Sequence, residues 1–377
     1  MRIVRAEVQS TRIPVERPHP MAIGTTHYQD NVVVKLITED GTSGFGEAPH
    51  MVGHSQLGET PETVRVILRR KLVPAVLGLS PFDQEALTVA QDRAVPGNRR
   101  AKGAVVLAAY DLAGKLLNTP VFNLLGGMVR ETVPLSWTIP IIDIDAGVEE
   151  AARKVRDGWR IIKVKVGRPD PGLDVSMVGA IREGLGDGVR IRVDANQAYS
   201  VKTALRVARE IERYDIDFLE QPVHMGDLDG LTEVTRNSPI PIMADESAKS
   251  LRDLAEIAKR RAADYVSIYV IGPGGLSISK KMASIAEAFG LRAYVGRALE
   301  STIGAAAGLH LAASSPAIDL GCEMYAQYLL KDDFGKDRLI MKDGALCVPQ
   351  GPGLGIDIDE DKLAAYRLGE VEIFTGD

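Results

Sequence analysis

Three carboxylates stand at nearly equal spacing in the middle of this sequence. Asp194 closes RIRVD, Glu220 closes DFLE and Asp245 closes PIMAD, 26 and 25 residues apart. Each follows a short apolar run, and the interval suits one strand–helix unit. A parallel βα barrel turns such a period into a ring whose strands all end at one mouth, so the three acids converge. They repel one another unless a hard divalent cation sits between them. All-oxygen ligation favours Mg²⁺, with Mn²⁺ left open. Lys163 and Lys165 in KVKVG project to one side of the preceding strand. In a barrel mouth beside a cation, an amine loses its proton near neutral pH and acts as a general base. We expect Lys165 in that role. Lys163 stands beside it, depressing its pKa or touching a substrate carboxylate.

Other residues near these strand ends suit a substrate. Glu323 can bind a substrate group, and Arg297 can grip a carboxylate, with Glu300 flanking the same strand end. Asn196 and Glu246 adjoin the expected ligands and can orient them. Trp137 and Tyr269 are expected to form an aromatic wall. Tyr28, His19, His27 and His54 lie on two long N-terminal segments, from which Tyr28 and His54 are expected to meet substrate. The GPGG run at 272–275 is read as a tight strand-to-helix turn.

The elements that must position these groups follow from length and pattern. At 377 residues the chain exceeds one ordinary domain, and a barrel of about 200–250 residues leaves room for a second. Residues 1–127 are read as an α+β domain, 128–330 as the barrel, and 331–377 as a segment returning to the first domain. RIVRAEVQSTRIP alternates, and NVVVKLITED-G-TSGFGEA is a hairpin turning at Asp40-Gly41. The sequence predicts long loops over 16–30 and 48–60. RRAKGAVVLAAYDLAGKLLN (99–118) is apolar enough to be a helix packed on both sides. From Val133, eight strand–helix alternations predict a closed parallel sheet. DRLIMKDGALCVPQGPGLGI near the end reads as one more hairpin. A net charge of −6 gives no basic footprint for nucleic acid. No apolar run reaches membrane-spanning length, and nothing at the N-terminus reads as a signal peptide. Two cysteines, Cys322 and Cys347, make no disulfide framework, so a reducing cytoplasm is the expectation.

The ordered set of Lys-x-Lys, Asp, Glu and Asp, with GFGEA, VDANQAY, LEQP, ADES, ALES and CEMYAQYLLKDDF, resembles the enolase superfamily over nearly the whole chain. Within it, the pattern is similar to the muconate-lactonising subgroup. The resemblance implies an α+β capping domain whose two loops close a (β/α)₇β-type TIM barrel. It also implies Mg²⁺ on Asp194, Glu220 and Asp245, and abstraction by Lys165 of a proton α to a carboxylate, giving a metal-stabilised enediolate. A small-molecule carboxylate is the expected partner, with neither nucleic acid nor membrane, and the family implies a homo-oligomer.

One position departs from the subgroup. Members carry a second lysine on barrel strand six, where this chain has Tyr269, 24 residues after Asp245. A racemase or epimerase needs acid/base groups on both faces, and a phenol with a reference pKa near ~10 is a poorer base than a tuned lysine. The departure favours chemistry run from one face. The leading expectation is β-elimination of water from a hydroxylated amino or imino acid such as cis-3-hydroxy-L-proline, with Glu323 facing the ring ammonium. Cycloisomerisation stays open, as does a racemase or epimerase using Tyr269. The rival from another class is a non-catalytic barrel that binds a metal and a carboxylate. The intact Lys165 argues against it.

Overall fold

The computed structural model describes residues 1–21, 24–50 and 58–376, and side chains throughout those ranges except at 19–21 and 24. The alternating N-terminal segments form an antiparallel sheet of β1 (Ile3–Met21), β2 (Gly24–Thr38) and β3 (Ser43–His50). Asp40-Gly41 turns the second hairpin, with Gly41 at φ +85°. Where the predicted loop over 16–30 is described, at 16–21 and 24–30, it is instead a continuation of the first hairpin, pairing His19 with Thr26 and Met21 with Gly24 after a register break. On the other side of β1, pairing within the sheet stops at Thr11. Pro14, Pro18 and Pro20 therefore withhold donors where no third strand of that sheet needs them.

Behind the sheet lie α1 (Pro61–Ile67), α2 (Gln84–Ala94) and α3 (Arg99–Leu116). Residues 100–114 of α3 are all buried, as an all-round apolar helix should be. β3 approaches α3 so closely that a Cβ at Gly46 would come 2.0 Å from the Ala104 carbonyl oxygen. The glycine in GFGEA is thus a packing requirement that brings Glu47 to the boundary with the second domain.

The barrel strands are β4 (Ser136–Ile139), β5 (Ile161–Lys165), β6 (Arg190–Asp194), β7 (Ile216–Glu220), β8 (Ile242–Ala244), β9 (Tyr265–Ile268), β10 (Arg292–Val295) and β11 (Ile318–Cys322). They form one eight-stranded sheet in sequence order, and a parallel bridge between Leu135 and Cys322 brings its ends together. Seven helices connect them: α4 (Ile144–Arg156), α5 (Pro171–Leu185), α6 (Val201–Ile211), α7 (Leu228–Asn237), α8 (Leu251–Arg260), α9 (Leu276–Ala288) and α10 (Thr302–Ser314). Asp143, Asp170, Ser200, Asp227, Ser250 and Ser301 cap six of them through their side chains, which fixes where each strand end gives way to a helix. The architecture is a (β/α)₇β-type TIM barrel with an N-terminal α+β domain.

Inside the barrel, Phe218, Met243, Tyr294 and Leu320 form a buried cluster. The guanidinium of Arg192 stands 5.1 and 5.2 Å over the Phe218 and Tyr294 rings. It also donates to Ser136 Oγ at 2.8 Å and to the Leu320 carbonyl at 2.5 Å. These residues floor the barrel, as side-chain layers do in this fold. The predicted C-terminal hairpin is present as Met341–Lys342 and Ala345–Cys347, but it pairs with Thr132–Pro134 at the barrel entrance. The segment that joins the N-terminal sheet is β12 (Arg367–Thr375), alongside β1. Among the described residues, no helix is long and apolar enough to cross a membrane.

Candidate active site

Strand alternation decides what enters the barrel. The register sets Lys163 beside Thr138, Lys165 beside Asp194, and Asp194 beside Glu220. At the C-terminal strand ends, one small cavity of about 20 Å³ is lined by Thr138, Lys163, Lys165, Asp194, Asn196, Glu220, Asp245, Tyr269, Arg297 and Glu323. That volume admits about one water-sized particle.

Lys163 is fully buried, with Nζ 3.2 Å from Asp194, 3.1 Å from Glu220 and 2.7 Å from Glu323. Lys165 sits nearer the mouth, 2.5 Å from Asp194, and donates to Asn196 Oδ1 at 2.7 Å. Asn196 donates its backbone N–H to Asp194 (2.9 Å) and its side-chain amide to Glu246 (3.1 Å). It therefore ties both lysine and acid into one network. Asp245 accepts from the Tyr269 hydroxyl at 3.0 Å and from Lys249 at 3.2 Å.

Burial opposes the charge on Lys163, but Glu220, Glu323 and Asp194 outweigh it and hold the ammonium well above the usual lysine range. Lys165 is raised too: burial lowers it and Lys163 adds to that, yet Asp194 prevails. The carboxylate 2.5 Å away thus holds Lys165 in its ammonium form in this arrangement, whereas the depression expected from the sequence is one that belongs beside a bound cation. Burial and then Asp194 push Glu220 well up, because it shares Lys163 with two other acids. Asp194 is held low against its burial by Lys165 and Lys163. Burial, helped by Asp245, lifts Glu246 to about 7.

Among the described residues, no three acidic, histidine or cysteine side chains are gathered tightly enough to cage an ion in this arrangement. Ammonium groups occupy the centre of attraction instead. The donor set still suits a hard divalent cation. Asp194, Glu220 and Asp245 offer only oxygen, end three adjacent strands and face the same cavity, and crowding of like charge raises Glu220.

Several expected contacts fall elsewhere. Trp137 lies on the outer face of β4, 2% exposed, against Trp159 and Tyr325, its indole N–H donated to Glu150 at 2.9 Å. Thr138, one residue on, faces the cavity, so the aromatic wall is corrected by strand parity. Tyr28 points outward from β2, 46% exposed beneath the Arg12 guanidinium, while its neighbour Gln29 turns inward. Tyr269 lines the cavity, but burial and Asp245 raise its phenol well above the ordinary value. It serves Asp245 as a donor. His54 lies outside the described residues, as does the His19 side chain; His27 is exposed. GPGG forms the tight turn, with Gly274 and Gly275 at φ +123° and +98°.

Besides Thr138, two residues that shape the site escaped sequence reasoning. Gln221 Oε1 accepts the backbone N–H groups of Asp245 and Ser247 at 2.9 and 3.1 Å, fixing the end of β8 from the end of β7. Lys249 is buried, with Nζ 4.1 Å over the Tyr269 ring; a lysine four residues after a strand-end acid was its only signal. The Tyr269 ring fits because residue 296 is glycine. A Cβ there would fall 2.3 Å from Ser267 Oγ and 2.7 Å from the ring. Gly296→Ala is expected to displace Tyr269 from Asp245 and cost about 1–3 kcal/mol, read by urea unfolding; an unchanged midpoint would refute this tight fit.

Residues 3–126 match the family described as mandelate racemase / muconate lactonizing enzyme, N-terminal domain. Residues 147–362 match the one described as enolase C-terminal domain-like. The chain is similar to a chloromuconate cycloisomerase of Cupriavidus necator, 35% identical over 97% of this chain and 99% of that one. It is also similar to the crystal structure of an N-succinyl Arg/Lys racemase from Bacillus cereus (TM-score 0.94, 32% identical, 99% and 100% covered). A muconate lactonizing enzyme from Pseudomonas fluorescens, complexed with muconolactone, matches with TM-score 0.94 and 32% identity over 97% and 99% of the two chains.

Proposed function

The chain belongs to the enolase superfamily, and on that footing we propose that it is an isomerase that moves a proton at the carbon α to a carboxylate, with Lys165 as its single base. The observation that carries this reading is the asymmetry of the cavity. On one side Lys165 reaches the mouth from β5; on the other, the Tyr269 hydroxyl is committed to Asp245. One amine suffices for cycloisomerisation of an unsaturated dicarboxylate of the muconate type. One carboxylate oxygen adds to the conjugated C=C, and the Lys165 ammonium delivers a proton to the carbon α to the other carboxylate, the same amine removing that proton in the reverse direction. The similarity to cycloisomerases supports that choice over a two-base racemase.

Asp194, Glu220 and Asp245 would hold a divalent cation, Mg²⁺ or Mn²⁺, which would stabilise negative charge on the substrate carboxylate and relieve Asp194 of the role that keeps Lys165 protonated. Asn196 holds Lys165 on the correct face. Arg297 keeps one amine on the Tyr325 hydroxyl at 2.8 Å, while its Nη1 is buried with no hydrogen-bond partner among the described residues. That free donor suits a substrate carboxylate. The floor around Arg192 closes the barrel beneath the reacting carbon.

A second reading, dehydration of a hydroxylated imino acid such as cis-3-hydroxy-L-proline, is favoured by Glu323. This carboxylate lines the cavity and could face a ring ammonium. Lys165 would take the α-proton and return it to the departing hydroxide, so one amine again suffices.

The discriminating experiment incubates the protein in D₂O with cis,cis-muconate, cis-3-hydroxy-L-proline and N-succinyl amino acids, with and without EDTA. Lactone formation with deuterium incorporation, stopped by EDTA, is the expected result. Turnover of hydroxyproline alone would transfer the assignment to the dehydratase reading. Deuteration with inversion would refute the one-base scheme. Absence of exchange under every condition would leave a binding protein.

A further inference from the structure

We infer that Gln29 and Glu47, on the N-terminal sheet, are positioning residues for the loop that carries Arg297, so that the barrel's site is completed by the neighbouring domain. The inference rests on the reading of Arg297 as the carboxylate-binding group.

The loop in question joins β10 to α10. Within it Leu299 sits at φ +63°, a left-handed conformation that leucine avoids. Its carbonyl accepts a hydrogen bond from Gln29 Nε2 at 2.6 Å, a buried contact between residues 270 positions apart. Two residues on, Glu47 caps the N-terminus of α10 from the other domain. One carboxylate oxygen accepts the backbone N–H groups of Ser301 and Gly304 at 2.9 and 2.8 Å. The other accepts the Ser301 hydroxyl at 2.7 Å and a short bond from the Asn31 amide. An acid at a helix start satisfies orphan donors and suits the helix dipole. The Ala298 N–H donates to Glu300 at 2.8 Å, so the loop folds back on itself around the first anchor.

Arg297 emerges from this held segment with its guanidinium 4.0 Å above the Tyr325 ring. Side-chain packing within the barrel does not by itself select a left-handed leucine next to a buried arginine. The interdomain bonds are directed at the carbonyl of the strained residue itself and at the backbone N–H groups just after it. Sheet alternation explains why these residues are available: on β2, Gln29 and Asn31 point inward while Tyr28 points out.

The chain supplies its own reporter. Trp137 and Trp159 are its two tryptophans, and both rings lie against Tyr325, at 5.0 and 6.1 Å. Tryptophan emission therefore senses the ring on which Arg297 rests. Arg297→Met gives the reference change. Gln29→Leu and Glu47→Leu are expected to reproduce that change well below their melting temperatures, and to speed amide exchange in peptides covering 298–304 about tenfold or more. Glu47→Gln should largely rescue both, since its carbonyl oxygen still accepts the two backbone amides. With the substrate found by the D₂O panel, Gln29→Leu and Arg297→Met should each raise KM about tenfold or more, with little added by the double variant.

If Arg297→Met leaves KM unchanged while Lys165→Ala abolishes turnover, the role given to Arg297 is wrong. If Arg297→Met shifts emission and KM but Gln29→Leu and Glu47→Leu only lower the melting temperature, the positioning inference is overturned. Gln29→Leu carries the test alone should Glu47→Leu fail to fold.

Discussion

Lys165→Ala is expected to lower kcat by about 10²–10⁴-fold or more while leaving a folded protein. The side chain is 11% exposed at the cavity mouth, and its hydrogen bonds go to Asp194 and Asn196. Its loss leaves Asp194 with Lys163 at 3.2 Å and the Asn196 backbone N–H at 2.9 Å, so no acid is stranded. The variant should therefore keep its melting temperature within a few degrees and still bind substrate, yet exchange no α-deuterium. Exchange at the wild-type rate in Lys165→Ala would place the base elsewhere and end the proposed mechanism.

Lys163→Met should do the opposite, harming stability before chemistry can be assessed. Its ammonium is shared by Asp194, Glu220 and Glu323, all nearly inaccessible. Removing one partner of a buried charge cluster leaves uncompensated charge, at a cost of about 3–5 kcal/mol. The pH dependence carries a sign. Without Lys163 the acids hold their protons to higher pH than in the unfolded chain. The variant's deficit should then be smallest below the ordinary carboxylate range and widen as pH rises through the elevated values. Urea unfolding in EDTA at several pH values measures this; a deficit independent of pH would mean that lost packing, not stranded charge, is responsible. Adding Mg²⁺ should recover more stability in the variant than in the wild type, because binding to the folded state alone adds stability.

The contrast between these two lysines, two residues apart on one face of one strand, shows how far sequence reading reaches. Their common orientation follows from period-two geometry, and charged residues inside a barrel strand stand out against apolar neighbours. The recurrence of Asp194, Glu220 and Asp245 is equally visible, because each ends an apolar run. What distinguishes the lysines is their depth and the acids around each, which depend on tertiary distances. VPLSWTIP gave no such contrast: both faces of that strand are covered, so nothing in the pattern says whether Trp137 or Thr138 faces inward. Gln221 and Lys249 lie in irregular connections with no period at all. The ribbon over 16–21 and 24–30 is rich in proline and polar residues, which are acceptable there because the third strand of that sheet stops opposite Thr11 among the described residues. Gln29 and Glu47 act across domains, on partners more than 250 residues away, beyond any local pattern.

The pairing of β1 with β12 has a bearing on how the molecule is made. Arg5 lies opposite Thr375 and Thr11 opposite Arg367, so the sheet that β1 opens lacks its outer strand until residues 367–375 follow. Throughout translation of the barrel, the free side of β1 is an open template for strand addition. A domain begun before the barrel is thus completed only after it, and a nascent chain stalled inside the barrel would be the form most in need of a chaperone.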